Sequence, residues 1–177
     1  AGLSNAGGGA TITALFSQFG KVNYSYKDFL LADFTLRRDG SSRFGPSYRY
    51  GVFPAFSAAW RVTSEEFMRD IPAITDLKVR GGWGTMGNSN NVNPANQYSL
   101  YAADRGNSFY PIGGQSSGAD EGYFRSRIGN DAAKWETSET LNIGFDATLL
   151  NGKWEVVLDV WRKDTRDLLF GVPLPAV

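Results

Sequence analysis

The sequence has 177 residues, 18 Lys+Arg against 18 Asp+Glu, and no His or Cys, so its formal net charge is zero. Without His or Cys there is no Ser-His-Asp triad, no His- or thiolate-ligated metal, no thiolate nucleophile and no disulfide framework. No basic excess exists to follow a nucleic-acid backbone. No apolar run reaches the ~18 residues of a membrane-spanning helix, which leaves a membrane-spanning strand open, and the opening AGLSNAGGGATI has neither the basic nor the apolar region of a signal peptide.

The dominant pattern is strict alternation, the signature of strands with two unlike faces. The first run alternates Phe16, Val22, Tyr24 and Tyr26 with Ser17, Lys21, Asn23 and Ser25. Lys27-Asp28 then reads as a tight turn. The second run sets Leu30, Ala32, Phe34 and Leu36 against Asp33, Thr35, Arg37 and Asp39. A third sets Val52, Phe56, Ala58, Trp60 and Val62 against Ser57, Ala59, Arg61 and Thr63, and a fourth sets Leu77, Val79 and Trp83 against Lys78 and Arg80. In the fifth, Leu141, Ile143, Phe145, Ala147 and Leu149 alternate with Thr140, Asn142, Gly144, Asp146 and Thr148. After the hairpin signal Asn151-Gly152, the sixth alternates Trp154, Val156, Leu158 and Val160 with Glu155, Val157, Asp159, Trp161 and Lys163.

Six strands of this kind predict an all-β, antiparallel, up-and-down sheet. Short links follow the first and fifth strands, a moderate one follows the third, and long ones follow the second and fourth, the last running from about Gly84 to Lys134. Short turns at one end and long loops at the other match an outer-membrane barrel. So do charges deep within the polar parity and aromatics near strand ends (Tyr24, Tyr26, Trp60, Trp83, Trp154). A soluble β-sandwich also alternates and also solvates one face, and spacing alone does not separate the two. Single-chain barrels begin at about eight strands, so six imply a slice of a larger barrel. The stretches Gln97–Ala103 and Tyr123–Ile128 could add two strands and close a small barrel, but they are short and polar on both faces.

Several motifs have plain structural readings. Gly82-Trp83-Gly84-Thr85-Met86-Gly87 has dinucleotide-loop spacing, but the following NSNNVNPAN has no helical period to hold a pyrophosphate, so it reads as a flexible strand exit. Arg38-Asp39-Gly40-Ser41-Ser42-Arg43-Phe44-Gly45-Pro46 reads as an ordered loop in which Asp39 bonds local backbone and Arg43 pairs nearby. The carboxylate pairs Glu65-Glu66 and Asp120-Glu121 read as solvated turn charge with no partner across a cleft, and Ser64 as the cap of one helical turn. No enzymatic site and no cofactor are expected. The aromatics Tyr98, Tyr101, Phe109, Tyr110, Tyr123 and Phe124, spread through the long polar loop, are candidates for contact with a substrate or a covering protein. Packing of the loop against itself is the plain alternative.

Read in order, FGKVNYSYKDFLL, TLRRDGSSRFGP, GVFPAFSAAWRV, LKVRGGWGTMGN, KWETSETLNIGFD and DVWRKDTRDLLFGVPLP resemble the barrel of SusC/RagA-type TonB-dependent outer-membrane transporters, over about Ile12 to Pro175. The resemblance implies a slice of a large transmembrane β-barrel, with the barrel's plug absent from this chain and the long loop, about 84–134, extracellular. It implies import of oligosaccharides or peptides into Bacteroidetes-type cells, a SusD-like surface lipoprotein as lid, and a TonB complex as energy source. On that reading Lys21, Asp33, Arg37, Lys78, Arg80, Asp146, Glu155 and Asp159 face the lumen, and Ile143, Phe145, Val156 and Leu158 face outer-membrane lipid. A soluble carbohydrate-binding β-domain and a receptor for a chelate or vitamin are the alternatives.

Overall fold

The computed structural model describes residues 12–94, 96–104, 106, 108–111 and 119–168. Six long strands form where the sequence alternates. They are β1 (Leu15–Tyr26), β2 (Leu30–Ser41), β3 (Tyr50–Arg61), β4 (Ile74–Asn88), and, beyond the four short loop strands β5 (Leu100–Ala102), β6 (Tyr110–Pro111), β7 (Ala119–Asp120) and β8 (Phe124–Arg127), β9 (Glu136–Leu149) and β10 (Trp154–Arg166). The long strands make one sheet in the order β1-β2-β3-β4-β9-β10, with β2–β3, β3–β4, β4–β9 and β9–β10 antiparallel. β1 and β10 are its edges, so the sheet is open.

Two tight turns fix the outer hairpins. Lys27 and Asp28 lie at φ 47° and 58°, and the Phe29 amide donates to the Tyr26 carbonyl at 3.2 Å. Asn151 and Gly152 lie at φ 54° and 83°. Positive φ at both central residues is what a twisted two-strand ribbon requires of its turn. Between β3 and β4 the chain makes two 3-10 turns, Val62–Ser64 and Glu66–Met68. Ser64 ends the first turn and supplies no side-chain cap to the second, whose N-cap position is Glu65. In place of the expected Ser64 cap stand local backbone bonds, such as that from the Glu65 amide to the Val62 carbonyl at 3.0 Å.

The glycine motif is not a strand exit, because β4 runs through it to Asn88. Its glycines are positions where a side chain has no room. A Cβ at Gly82 would lie 2.7 Å from Asn142 Oδ1, one at Gly84 would lie 2.9 Å from the Ala55 Cβ, and one at Gly87 would overlap the Phe53 ring. Phe53 is buried and meets Trp135 edge-to-face at 5.6 Å.

The chain divides into two units. One combines Ala1–Leu15, Ser41–Arg49 and Val92–Lys134, and the other holds most of the sheet. In the first, Phe44, Val92 and Ala133 are buried. Arg43 Nη1 donates to the Val92 carbonyl at 2.7 Å, forty-nine residues away in sequence. The Gly45 Cα lies so near the Asp131 carbonyl that a Cβ would come within 2.8 Å of it. The stretches Gln97–Ala103 and Tyr123–Ile128 do contain strands, but β5 pairs β8 rather than joining the main sheet, and β6 pairs β7. The two ladders are nested, so the long loop carries an arm with two short paired sections.

Candidate functional site

The sheet sorts its side chains by the register of its strands. Leu30, Trp60, Val79, Phe145 and Leu158 stand opposite one another across five strands, and so do Ala32, Ala58, Gly81, Ile143 and Val160. Val156 stands opposite Ala147, which stands opposite Leu77. In an antiparallel ladder directly opposed residues share a face, so Ile143, Phe145, Val156 and Leu158 lie together on an apolar face. Among the described residues that face is uncovered: Phe34, Phe56, Ile143, Leu158 and Val160 are all exposed. A groove of about 650 Å³ on it is lined mainly by Leu77, Val79, Leu141, Ile143, Phe145 and Val160.

The other face collects the charges. Lys78 stands opposite Asp146, and Arg80 opposite Gly144, which is opposite Asp159. Gly144 leaves the gap through which Arg80 crosses β9: a Cβ there would overlap the Asp159 carboxylate. Arg80 Nη2 donates to Asp159 at 2.7 Å and its Nε to Asp146 Oδ1 at 3.2 Å, while Lys78 Nζ pairs with Asp146 Oδ2 at 2.8 Å. Four charges thus tie three strands together. Nearer β1, Asp33 accepts from Asn23 at 2.6 Å and lies 3.9 Å from Lys21 Nζ. Arg37 donates to Asp39 Oδ2 at 2.7 Å, so Asp39 binds a neighbouring guanidinium where a backbone bond was expected. Arg37 shares the parity of Asp33, and Glu155 that of Asp159; all eight charged residues singled out in the sequence lie on this one face.

Sequence reasoning passed over two residues on the charged face, Trp161 and Glu136. Trp161 stands opposite Asn142, which stands opposite Gly82 and Ser57 in turn. The parity of β10 already puts Trp161 with Asp159. Glu136, buried, accepts from Asn88 at 3.3 Å and Asn91 at 2.6 Å. On the apolar face, Trp60 Nε1 donates to Glu65 at 3.1 Å and Trp83 Nε1 to Glu139 at 2.8 Å, with Arg166 pairing Glu139 at 3.1 Å. These bonds mark where apolar side chains give way to polar ones.

The loop aromatics fall on or beside the nested arm. Tyr101 is opposite Arg125, Phe124 opposite Ala102, and Tyr110 opposite Asp120. Tyr98, Tyr101, Tyr110, Tyr123 and Phe124 are exposed, and Phe109 is half-buried. The arm therefore presents most of its rings outward instead of packing them together. Asp120 stands opposite Tyr110 in the arm, and Glu65 accepts from Trp60 Nε1.

Comparison with known proteins matches residues 2–177 to the family described as TonB dependent receptor-like, beta-barrel. The chain is 38 % identical to the TonB-dependent receptor SusC of Bacteroides thetaiotaomicron over 168 residues, covering 94 % of this chain and 16 % of SusC. It is 36 % identical to the TonB-dependent receptor P3 of Formosa agariphila, covering 92 % of this chain and 16 % of that protein. Among solved structures it resembles that of the RagAB peptide transporter, with a TM-score of 0.77 at 27 % identity, over 92 % of this chain and 17 % of the other. The chain thus spans about a sixth of the length of these relatives.

Proposed function

Because the chain belongs to the TonB-dependent receptor-like β-barrel family, we propose that its six-stranded sheet is a section of the wall of an outer-membrane importer, with the apolar face against lipid and the charged face against the lumen. The observation that carries this reading is the exposed apolar face. A soluble sandwich buries that face under a second sheet; hydrocarbon is the solvent that leaves it favourable uncovered. Its dimensions agree. On β9 the apolar positions run from Leu149 to Leu141 and end at Glu139. Eight intervals of ~3.3 Å at a tilt of ~40° span roughly 20 Å of membrane normal, near the ~25 Å apolar band of such barrels.

The open edges β1 and β10 also fit, since unpaired strand edges do not persist in lipid and further strands of the barrel would pair with them. On this reading the loops after β2 and β4 are extracellular, Lys78, Arg80, Asp146 and Asp159 brace the lumen wall against the plug, and the aromatic arm contacts cargo or a SusD-like lipoprotein lid. The likeness to the RagAB peptide transporter supports a peptide as cargo, the resemblance to SusC-type transporters adds an oligosaccharide as the other cargo class, and the TonB-dependent receptors among the relatives support energy from a TonB complex. The test is uptake by cells carrying the transporter: a panel of radiolabelled oligosaccharides and oligopeptides should include one whose uptake is lost on deleting either the transporter or TonB. Uptake of every panel member unaltered by both deletions would overturn the reading.

A further inference from the structure

We propose that Arg43-Phe44-Gly45, in the loop after β2, is a wedge that holds the two roots of the aromatic arm together and so positions the arm's rings for contact. The proposal rests on the reading of the arm as a contact element and names the residue that sets its position. One root is the chain leading into β5, with Val92 and Asn96; the other is the chain leaving β8, with Asn130, Asp131 and Ala133. Each neighbour of Phe44 meets a different root. Arg43 Nη1 donates to the Val92 carbonyl of the first at 2.7 Å. Gly45 lies against the second, where a Cβ would come within 2.8 Å of the Asp131 carbonyl oxygen. Between them Phe44 is fully buried. Among the described residues of this unit the buried apolar side chains are Phe44, Val92 and Ala133, one from the loop after β2 and one from each root. The wedge is anchored from behind as well: the Ser42 amide donates to the Ala14 carbonyl at 3.0 Å, and the Ser42 hydroxyl accepts from the Ala14 amide at 2.9 Å.

The two roots also bond each other directly. The Asn130 amide donates to the Asn96 carbonyl at 2.8 Å, the Asn96 side-chain amide to the Asn130 carbonyl at 3.2 Å, and the Gly129 amide to Ser99 Oγ at 3.1 Å. The bonds made by the Asn96 and Ser99 side chains are exposed, so water replaces them at little cost when the roots part. A phenyl ring has no such substitute: parting the roots wets it, and truncating it leaves a cavity between them. The ring therefore distinguishes a closed root from an open one better than the hydrogen bonds do. Gly45 supports the same conclusion. Among the described glycines only Gly152 has positive φ, so the missing side chain at Gly45 serves the approach of Asp131 and not a left-handed turn. Phe44 is buried by this chain's own residues, and strands added at the sheet edges leave it so. Tyr101 and Phe124 lie in the β5–β8 ladder that the roots carry, with Tyr98 and Tyr123 next to it, so the wedge sets where these rings sit.

The test is hydrogen exchange, read by mass spectrometry, on the full transporter that carries this segment, purified in detergent as parent, Phe44→Ala, Phe44→Leu and Gly45→Ala. In Phe44→Ala the peptides carrying the Asn130 amide and the β5–β8 ladder should exchange at least about tenfold faster, with β4 and β9 unchanged. Gly45→Ala removes no apolar contact and only pushes on the Asp131 carbonyl; it should speed the Asn130 peptide about threefold or more, and Phe44→Leu should restore most of the parent's protection. Heat-modifiable gel mobility checks folding, and if Phe44→Ala fails that check, Gly45→Ala decides by the same exchange criterion. A positioning role has a second readout, uptake of the panel of radiolabelled oligosaccharides and oligopeptides. For a transported member the half-saturation concentration should rise about fivefold in Phe44→Ala and return near the parent's in Phe44→Leu, with the maximal rate per folded transporter kept within about twofold. The proposal is overturned if exchange at the roots is unchanged in the variants, if it rises equally in β4 and β9, or if the roots loosen with no change in half-saturation. Absence of uptake of every panel member by the parent refutes the importer reading instead, and the exchange pattern then decides the wedge.

Discussion

Val157 and Leu158 are adjacent, apolar and on opposite faces of β10, so a pair of arginine substitutions separates the two solvents assigned to those faces. Leu158 stands opposite Phe145, and Val157 opposite Asp146. Along β10 Leu158 lies four residues from Trp154 and four from Arg162. At ~3.3 Å per residue and ~40° of tilt this puts it roughly 10 Å of depth from each, near the middle of the apolar band. Leu158→Arg should therefore cost about 2–4 kcal/mol, the usual penalty for a guanidinium at the midplane of a barrel's lipid face. Val157→Arg gains a carboxylate opposite it on the wet face, and should cost under about 1 kcal/mol. Urea titration of the transporter's folding into lipid vesicles reads both. A gap of at least about 1.4 kcal/mol, tenfold in the folding constant, is expected. Equal costs at the two positions would refute the assignment of faces, because helix or strand propensity alone does not distinguish neighbours of such similar chemistry.

Three further outcomes follow from local geometry. Replacing Lys27-Asp28 by Asn-Gly should raise folding stability by about 1 kcal/mol, since both positions already hold positive φ that Asn and Gly adopt at less cost; a drop in the same urea titration would show that the turn is not limiting. Gly87→Val should destabilise by about 1–3 kcal/mol, because the new side chain must displace the buried Phe53 ring; the pairing with Phe53→Ala should be non-additive in a double-mutant cycle. Glu136→Ala should cost about 1–3 kcal/mol by leaving the Asn88 and Asn91 amides without their acceptor, and Glu136→Gln less than half of that; hydrogen exchange at the end of β4 should accelerate in the alanine variant only.

The six long strands were legible because their alternation is a local property, carried by every second residue and strongest in β9 and β10. The two faces followed from the same parity, so the eight charged and four apolar candidates separated without a structure. What the sequence could not show depends on register or on distant contact. That Arg80 reaches both Asp146 and Asp159 requires three strands to be aligned and Gly144 to lie between them. Gly82, Gly84 and Gly87 look like strand breakers in a string of letters, whereas in the sheet they are spaces filled by Asn142, Ala55 and Phe53 from neighbouring strands. The loop strands were missed as a ladder because β6 and β7 are two residues each and show no alternation. That Arg43 also reaches the Val92 carbonyl was not legible, because nothing near it in sequence points to Val92.

Lipid on one face of the sheet and water on the other is the premise of everything proposed for this chain. Nitroxide labels placed singly from Leu141 to Leu149 in the transporter, reconstituted in liposomes, report it directly through collision with oxygen and with a polar nickel chelate. Odd-numbered positions should favour oxygen, even-numbered positions should favour the chelate, and the two profiles should run in antiphase with a period of two. Flat profiles, or profiles in phase with each other, would contradict the account.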